Sequence, residues 1–298
     1  MTESAAGSTI PRRILGVALR QARMRAGKTQ VEAAEAIDQS EQTVRRIEQG
    51  TVPTPAGKVD NLCRLYGSPE QSREALKALA RETKSTARRW WHSYGDVVPT
   101  WFEVYVALEQ MASRKRCFDP LLITGLLQSD GYIEHAIRAV EPKQSDEDVA
   151  ASAEVRRSRQ QLLSRTFPAP LRLDAIVAEP VLLVDLPDGV MRAQLWKLLK
   201  ATELPNVTLR VLPLSAGLHR ASVTGAFALL DFPDEGVSPA APTTVYSENR
   251  TGAIYSDAPP EVTSYEEDWT ALEGAVLDAD HTVKLLSHRL KELVDRER

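Results

Sequence analysis

The apolar residues in the first part of the chain repeat at helical spacing. Residues 14–25 place Ile14, Leu15, Ala18, Leu19 and Ala22 three or four positions apart, and Gly27 supplies a stop. Second and third helices are predicted to begin at Thr29 and Ser40, whose hydroxyls are good N-caps, and a fourth and a fifth over residues 58–66 and about 70–82. We therefore predict an N-terminal five-helix domain over residues 1–82, followed by a connector at 83–89.

The second and third helices are separated by only three residues, and their apolar residues predict how they pack. Two helices that cross at a steep angle need small side chains at the contact, which Ala33, Ala34 and Ala36 provide. We expect four larger aliphatic residues to close a shared core, namely Val31, Ile37, Val44 and Ile47.

Beyond residue 90 the pattern changes to a mixture of strands and helices. Strand-like runs occur at 171–184, 207–214 and 225–232, with a helical run at 189–204 and a final helix over roughly 264–294. An aromatic cluster opens this region and is interpreted as core rather than as base-stacking residues; it consists of Trp90, Trp91, Tyr94, Trp101, Phe102 and Tyr105. The fold class is therefore mainly α with a mixed α/β C-terminal domain over residues 90–298.

The net charge of −4 is unevenly distributed along the chain. Residues 1–92 contain 16 Lys and Arg against 10 Asp and Glu, whereas the remaining residues contain 21 against 31. A basic front half is typical of a domain that meets a polyanion, although a solvated basic helix has the same composition. Cys63 and Cys117 match no metal-ligand or redox spacing and are expected to be buried thiols. No run of about 20 apolar residues occurs, so we expect a soluble, cytoplasmic protein.

The polar residues of the third helix are candidates for contact with DNA. With Val44 and Ile47 in the core, the opposite face carries Glu41, Gln42, Arg45 and Arg46, with Ser40 and Thr43 at the start of the helix. A recognition helix enters the major groove in this orientation. Arginine can donate two hydrogen bonds to guanine, and glutamine can pair in the same way with adenine.

These residues resemble the Xre/Cro/phage-repressor class of helix-turn-helix proteins. The resemblance lies in "LRQARMRAG", "TQVEAAEAI" and "SEQTVRRIEQG", the last two separated by three turn residues. It implies a lambda-repressor-like fold that binds double-stranded DNA. It also implies that Gln30 bonds a phosphate and that Arg23 and Glu48 form a partly buried ion pair that braces the motif. Asp38 stands where the family usually has a turn glycine, and Ala33 replaces a larger aliphatic residue.

The C-terminal region resembles the domain of unknown function that follows the helix-turn-helix in many actinobacterial Xre-type regulators, including the WhiJ-like regulators. The similar blocks occur in the family's order and include "WWHSYGDVVPTWFEVYVALE", "ITGLLQSDGYIEHAI", "PNVTLRVLPLSAGLH" and "VYSENRTGAIY". Thr124 stands where the family commonly has proline. The resemblance implies a regulatory context and a small partner protein that modulates DNA binding.

An enzyme is not predicted. The chain has no nucleophile elbow, no zinc-protease motif, no phosphate loop and no nucleotide-binding glycine pattern. His219 and Glu248 are the best polar candidates for a pocket, but structural hydrogen bonding is the simpler interpretation. His281 and His288 lie seven apart on one predicted helix and are interpreted as part of an amphipathic surface. We therefore predict no cofactor and no metal.

The sequence predicts a DNA-binding transcriptional regulator, acting as a homodimer, whose C-terminal domain senses or docks a partner. Dimerisation is inferred because one recognition helix covers only a half-site. Two alternatives remain open. One is an antitoxin-like protein that holds a small partner protein and regulates its own expression; the other is a repressor that responds to a small molecule.

Overall fold

The structure is a computed structural model of the chain. It describes residues 10–70, 73–74, 76–77, 80, 100–166, 169–187, 189–233, 242–250 and 252–296. The predicted connector at 83–89 and the aromatic residues Trp90, Trp91 and Tyr94 lie outside the described residues. None of the described helices combines the length and the apolar composition that a bilayer crossing requires.

The N-terminal region is helical, as the sequence predicts. Its helices are α1 (Ile10–Arg25), α2 (Gln30–Ala36), α3 (Glu41–Glu48) and α4 (Ala56–Leu65). Residues 70, 73–74, 76–77 and 80 are also helical and are labelled α5. Helix α1 begins four residues before the predicted start. The side chains that form the core of this region are buried, including Leu15, Leu19, Val44, Ile47, Val59 and Leu62.

The predicted contact between α2 and α3 is confirmed, with one correction. Ala33 and Ala34 are buried where α2 meets α3, and Ile37 is buried beside them. Val31 was expected in the same core, but half of it is exposed, at 50%. The prediction was wrong because Val31 lies in the first turn of α2, nearly opposite the buried Ala33 around the helix.

The C-terminal region is a mixed α/β unit built on one six-stranded sheet. The strands are β1 (Arg114–Asp119), β2 (Arg172–Ala178), β3 (Val207–Leu212), β4 (Phe227–Asp231), β5 (Thr244–Asn249) and β6 (Gly252–Ser256). Their order in the sheet is β3-β2-β1-β4-β5-β6. Strands β1, β2 and β3 are parallel, whereas β4, β5 and β6 pair antiparallel to their neighbours.

Helices connect and cover the strands. They are α6 (Thr100–Met111), α7 (Asp130–Val140), α8 (Asp146–Gln160), α9 (Val190–Ala201), the short α10 (Ala221–Thr224), α11 (Pro259–Glu273) and α12 (Ala279–Arg296). Helices α6 and α8 contact one face of the sheet, where Glu109 of α6 pairs with both Lys115 of β1 and Arg159 of α8. The opposite face meets α11, whose Glu266 pairs with Arg116.

The strand register aligns particular side chains on the α6 and α8 face. Cys117 of β1 is opposite Ala228 of β4, which is opposite Tyr246 of β5. Because paired residues share a face and alternate residues of a strand do so too, Lys115 and Asp119 lie on the face of Cys117. By the same alternation, Thr244 and Glu248 lie on the face of Tyr246.

Two predictions for the C-terminal region need correction, and three of its strands were missed. The predicted strand at 171–184 ends at Ala178, and Glu179–Leu183 is a 3-10 helix because Pro180 cannot donate a strand hydrogen bond. The predicted final helix is two helices, separated at residues 274–278, where the Leu277 amide donates to the Val211 carbonyl oxygen. Strands β1, β5 and β6 were not predicted.

The two regions meet at α1, which contacts α6 and the start of β5. The side chain of Arg13 is buried there, at 1% exposure. Its guanidinium donates to the Thr244 hydroxyl and to the Pro242 carbonyl oxygen, and it lies 4.2 Å from the ring centroid of Phe232. Burial lowers the pKa of Arg13 to about 10, and the nearby Asp257 opposes that shift.

Candidate nucleic-acid interface

Local hydrogen bonds define the start of both motif helices. The Thr29 hydroxyl accepts from the Glu32 amide at 3.2 Å, while the Glu32 carboxylate accepts from the Thr29 amide at 2.8 Å, which forms a capping box. At α3 the Ser40 hydroxyl accepts from the Thr43 amide at 3.2 Å. The predicted starts of both helices are therefore confirmed, and Ser40 and Thr43 are engaged in the cap.

The turn between the helices depends on Asp38. Its φ is +51°, the one positive value among the described residues other than glycine. Aspartate tolerates this left-handed conformation better than most residues, so it can occupy the position where the family usually has glycine. The turn consequently keeps the short connection that sets α3 across α2.

Helix α3 has one buried and one exposed face. Val44 is fully buried and Ile47 is 4% exposed, and the helix packs against α1 and α2 through them. The predicted DNA-contact residues Glu41, Gln42, Arg45 and Arg46 are all exposed. The structure therefore brings the proposed base-reading side chains together on one accessible surface, together with the cap residues Ser40 and Thr43.

The predicted pair between Arg23 and Glu48 is present. Arg23 donates to the two carboxylate oxygens of Glu48 at 2.6 and 3.0 Å, and to the Lys28 carbonyl oxygen at 2.9 Å. The side chains are 13% and 4% exposed, so the pair is largely removed from water. The hydrogen bonds to Glu48 raise the pKa of Arg23. This pair links α1 to the end of α3.

Gln30 belongs to the same network. Its side-chain nitrogen donates to Glu48 at 2.9 Å, and the side chain is half-buried at the start of α2. A carboxamide nitrogen carries two hydrogens, so this bond leaves one donor for a phosphate. The predicted phosphate contact of Gln30 stays a prediction, and the bond to Glu48 orients the side chain.

Two glycines allow α1 to lie against the end of α3. A Cβ at Gly16 would lie 2.5 Å from the Ile47 carbonyl oxygen, and one at Gly50 would lie 2.5 Å from the Cα of Arg13. Gly50 also has a φ of +67°. Contact at the level of the backbone fixes the position of α3 relative to α1, so the recognition surface is held rigidly.

The other polar candidates are engaged in local contacts. His281 bonds Asp278 at 2.8 Å, His288 approaches Glu292 at 3.2 Å, and Glu248 accepts from the Tyr246 hydroxyl. His219 lies edge-on to Phe118, with ring centroids 5.9 Å apart. Within the described ranges, no three His, Cys, Asp or Glu side chains are grouped to hold a metal. Cys63 and Cys117 are buried free thiols, as predicted.

Sequence reasoning missed a buried charged network beneath the sheet. Glu109 is fully buried and accepts from Arg159 at 2.7 and 3.1 Å and from Lys115 at 2.9 Å. The Tyr105 hydroxyl also donates to it, at 2.8 Å. The one signal in the sequence is the pair Arg156 and Arg159, one helical turn apart and therefore on one face of α8.

Comparison with protein families agrees with this architecture. Residues 14–76 match a helix-turn-helix domain, and residues 102–288 match a domain of unknown function, DUF5753. The fold and these matches define the chain as a DNA-binding regulator of the Xre type with a C-terminal domain of unknown function. The second match covers more than half of the chain, which therefore belongs to the DUF5753 family. No curated protein and no solved structure matches it.

Proposed function

We propose that the protein regulates transcription by binding specific sequences in double-stranded DNA through α3. The observation that supports this proposal is the two-sided character of α3, whose apolar face is buried in the domain while four polar side chains are exposed together. Arg45 and Arg46 can each donate two parallel hydrogen bonds to a guanine in the major groove. A role on DNA requires access to the chromosome, so we place the protein in the cytoplasm.

The test is to select an operator from randomised duplexes with the full-length protein and then to measure affinities on it. Arg45→Ala or Arg46→Ala should cost about 1–3 kcal/mol at that operator and relax the preference at one base pair. Arg138→Ala is the matched control, because Arg138 is an exposed arginine of α7 whose ion pair among the described residues is with Asp146. If both α3 variants keep the operator affinity and the base preference of the parent protein, the assignment of α3 as the recognition helix is refuted.

We further propose that the protein binds DNA as a homodimer. A single α3 covers a half-site, and two half-sites about 10 base pairs apart would match a two-fold symmetric dimer. The selected operator should then be palindromic, and sedimentation velocity should show two chains on one duplex. One chain on an asymmetric site would contradict the dimer.

The C-terminal domain is proposed to receive the signal that controls DNA binding. Support comes from Arg13, which joins α1 of the DNA-binding domain to the C-terminal sheet in a buried contact. A protein partner is tested by co-expressing the product of the adjacent reading frame and titrating operator DNA with and without it. A product that neither co-purifies nor changes operator affinity would exclude that partner.

A further inference from the structure

A cavity opens at the carboxyl end of β1, between the sheet and helices α6 and α8. Its volume is about 130 Å³, and its base is the row of Cys117, Ala228 and Tyr246. A closed apolar cavity of about 150 Å³ accommodates benzene, so this space suits a small ligand of roughly six non-hydrogen atoms. Pockets at the carboxyl ends of strands are common ligand sites.

Aromatic rings form much of the cavity wall. Phe102 and Tyr105 from α6 and Tyr246 from β5 line it. The rings of Tyr105 and Tyr246 stack with centroids 4.1 Å apart, and the ring of Phe102 lies 5.7 Å from that of Tyr105, which fixes their orientation. These walls favour a ligand that has an apolar portion.

The charges at the base of the cavity are already paired. Lys115 and Arg159 line the cavity, and both are bound to the buried Glu109. Lys115 also donates to the Thr124 hydroxyl at 3.3 Å. The network therefore holds α6, α8 and β1 together and leaves other residues to recognise a ligand.

Arg156 is a cation of the cavity that has no carboxylate in direct contact among the described residues. It lines the cavity and donates to the Gln128 side-chain oxygen at 2.9 Å. Burial and the charge of Arg159 lower the pKa of Arg156, whereas the charge of Glu248, which lines the same cavity, opposes that shift. A guanidinium in this position provides planar donors for a carboxylate, and the ligand's charge would compensate its partial desolvation.

Two carboxylates on the same face of the sheet, Asp119 and Glu248, have no cation in direct contact, and the charges of Lys115 and Arg156 act on them from a greater distance. Asp119 accepts from the Leu121 and Leu122 amides through one oxygen only, at 2.8 and 3.0 Å, and Glu248 accepts from the Tyr246 hydroxyl at the cavity mouth. Neither forms an ion pair with a described residue. Burial raises the pKa of Asp119, and the neighbouring Glu248 adds to that shift. A ligand ammonium group would compensate the negative charges of both carboxylates.

We propose that this cavity binds a free α-amino acid with a small apolar side chain. The ligand carboxylate pairs with Arg156, its ammonium group is held by Asp119 and Glu248, and its side chain lies against the aromatic wall. A guanidinium and two carboxylates that are not in direct contact with one another, in one small aromatic cavity, favour a zwitterion over a simple acid or amine.

The cavity is connected to the DNA-binding domain by β5. Thr244, Tyr246 and Glu248 alternate along one face of this strand, so the strand that carries two cavity residues also carries the hydroxyl that binds Arg13. Arg13 in turn lies against Gly50 at the end of α3. This part of the inference rests on the proposed function: amino-acid binding shifts β5 and α1 and thereby changes operator affinity.

The binding site is tested without DNA. Each of the twenty L-amino acids is titrated into the full-length protein by isothermal calorimetry, and one or more with a small apolar side chain should bind at one site per chain. The same side chain carried by a carboxylic acid without the amine, or by an amine without the carboxylate, should bind at least tenfold more weakly. These measurements need no variant, so misfolding cannot explain them. Failure of every amino acid to bind, or equal binding of the deaminated acid, would overturn the proposal.

Variants then assign the contacts. Arg156→Gln and Asp119→Asn should each weaken amino-acid binding at least tenfold. Arg157→Gln should not, because Arg157 is the next residue on α8 and pairs with Asp130 and Glu154 instead. Arg156→Lys keeps the charge but loses the planar fork, and it should give intermediate affinity. Parental affinity in Arg156→Gln would refute the carboxylate contact.

Coupling to DNA is tested separately. Saturating amino acid should change operator affinity at least threefold, and operator DNA must change amino-acid affinity by the same factor. Thr244→Val removes the β5 hydroxyl that accepts from Arg13, outside the cavity, and leaves the Pro242 acceptor, so it should weaken the coupling while amino-acid affinity stays within twofold of the parent. If the amino acid binds but operator affinity does not move, the transmission through β5 is wrong. If the ligand-free protein selects no operator, the proposed function itself fails, whatever the calorimetry shows.

Discussion

Replacement of Gly50 by alanine tests the contact between α1 and the end of α3. Gly50 ends α3 with a φ of +67°, and an added Cβ would lie 2.5 Å from the Cα and 2.7 Å from the nitrogen of Arg13. Gly67 ends α4 with the same φ of +67°, but a Cβ there would meet nothing within 4 Å. The two positions therefore share one backbone conformation and differ in their surroundings.

The magnitude follows from that difference. A left-handed non-glycine residue costs about 1–2 kcal/mol, offset by about 0.4–1 kcal/mol because alanine restricts the unfolded chain. Gly67→Ala should therefore destabilise its helix end by about 1 kcal/mol. Gly50→Ala adds a clash with backbone atoms that cannot rotate away, and overpacking of this kind costs a further 1–3 kcal/mol or so.

Hydrogen exchange measured by mass spectrometry on the full-length protein gives the comparison. In Gly50→Ala, amides of α1 and α3 should lose protection by a factor of about 10–100 beyond the loss caused by Gly67→Ala at the end of α4, since each 1.4 kcal/mol is about tenfold. Equal losses in the two variants would show that α1 and α3 are not in contact at this point and would refute the close approach described above.

Three further predictions concern the motif itself. Glu48→Gln leaves Arg23 without its charge partner and should lower the stability of the N-terminal domain by about 3 kcal/mol in hydrogen exchange, whereas the exposed Glu35→Gln should have little effect. Gln30→Ala should weaken all DNA sequences about equally and reduce the salt slope by about one; loss of preference at a single base pair would contradict the phosphate role. Hydrogen bonds from Lys28 and from the N-cap Thr29 lower the pKa of Glu32 from 4.5 to about 2. The stability that ionised Glu32 contributes is therefore present above pH 4.5 and is lost as the pH falls towards 2. An NMR titration of Glu32 near 4.5 would show that the capping box does not form.

The N-terminal helices could be predicted because their signals are local. Thr29 and Ser40 each bond an amide within three residues, and the helical spacing of Leu15 and Leu19 is visible in a short window. The burial of Val44 leaves the opposite face of the same helix exposed, and that face carries Glu41, Gln42, Arg45 and Arg46. Such features need no knowledge of distant parts of the chain.

Strand β1 could not be predicted because the contacts that stabilise it are with distant parts of the chain. Its sequence begins with three cationic residues, which normally indicate a solvated surface. In the structure Arg114 pairs with Asp174, Lys115 with Glu109, and Arg116 with Asp231. Two of these partners are distant in the sequence, so only the assembled sheet makes the run compatible with a central strand.

The break in the last helix also depends on a distant contact. The Leu277 amide donates to the carbonyl oxygen of Val211 in β3, while Asp278 accepts from the amide and ring of His281 to begin α12. Gly274 marks the end of α11, but glycine alone does not terminate a helix that packing would continue. The contact with β3 decides the position of the break.

The charge asymmetry of the chain illustrates how the structure changes the meaning of a sequence signal. A basic front half favours DNA binding, yet several of its cations are committed within the protein. Arg13 is buried against the C-terminal sheet, Arg23 is bound to Glu48, and Lys28 is paired with Glu32. Net charge therefore overstates the charge available to phosphates. What favours sequence-specific binding is the placement of exposed polar side chains on α3, and Arg13, which a charge count would assign to DNA, instead provides the contact through which the C-terminal domain can act on that helix.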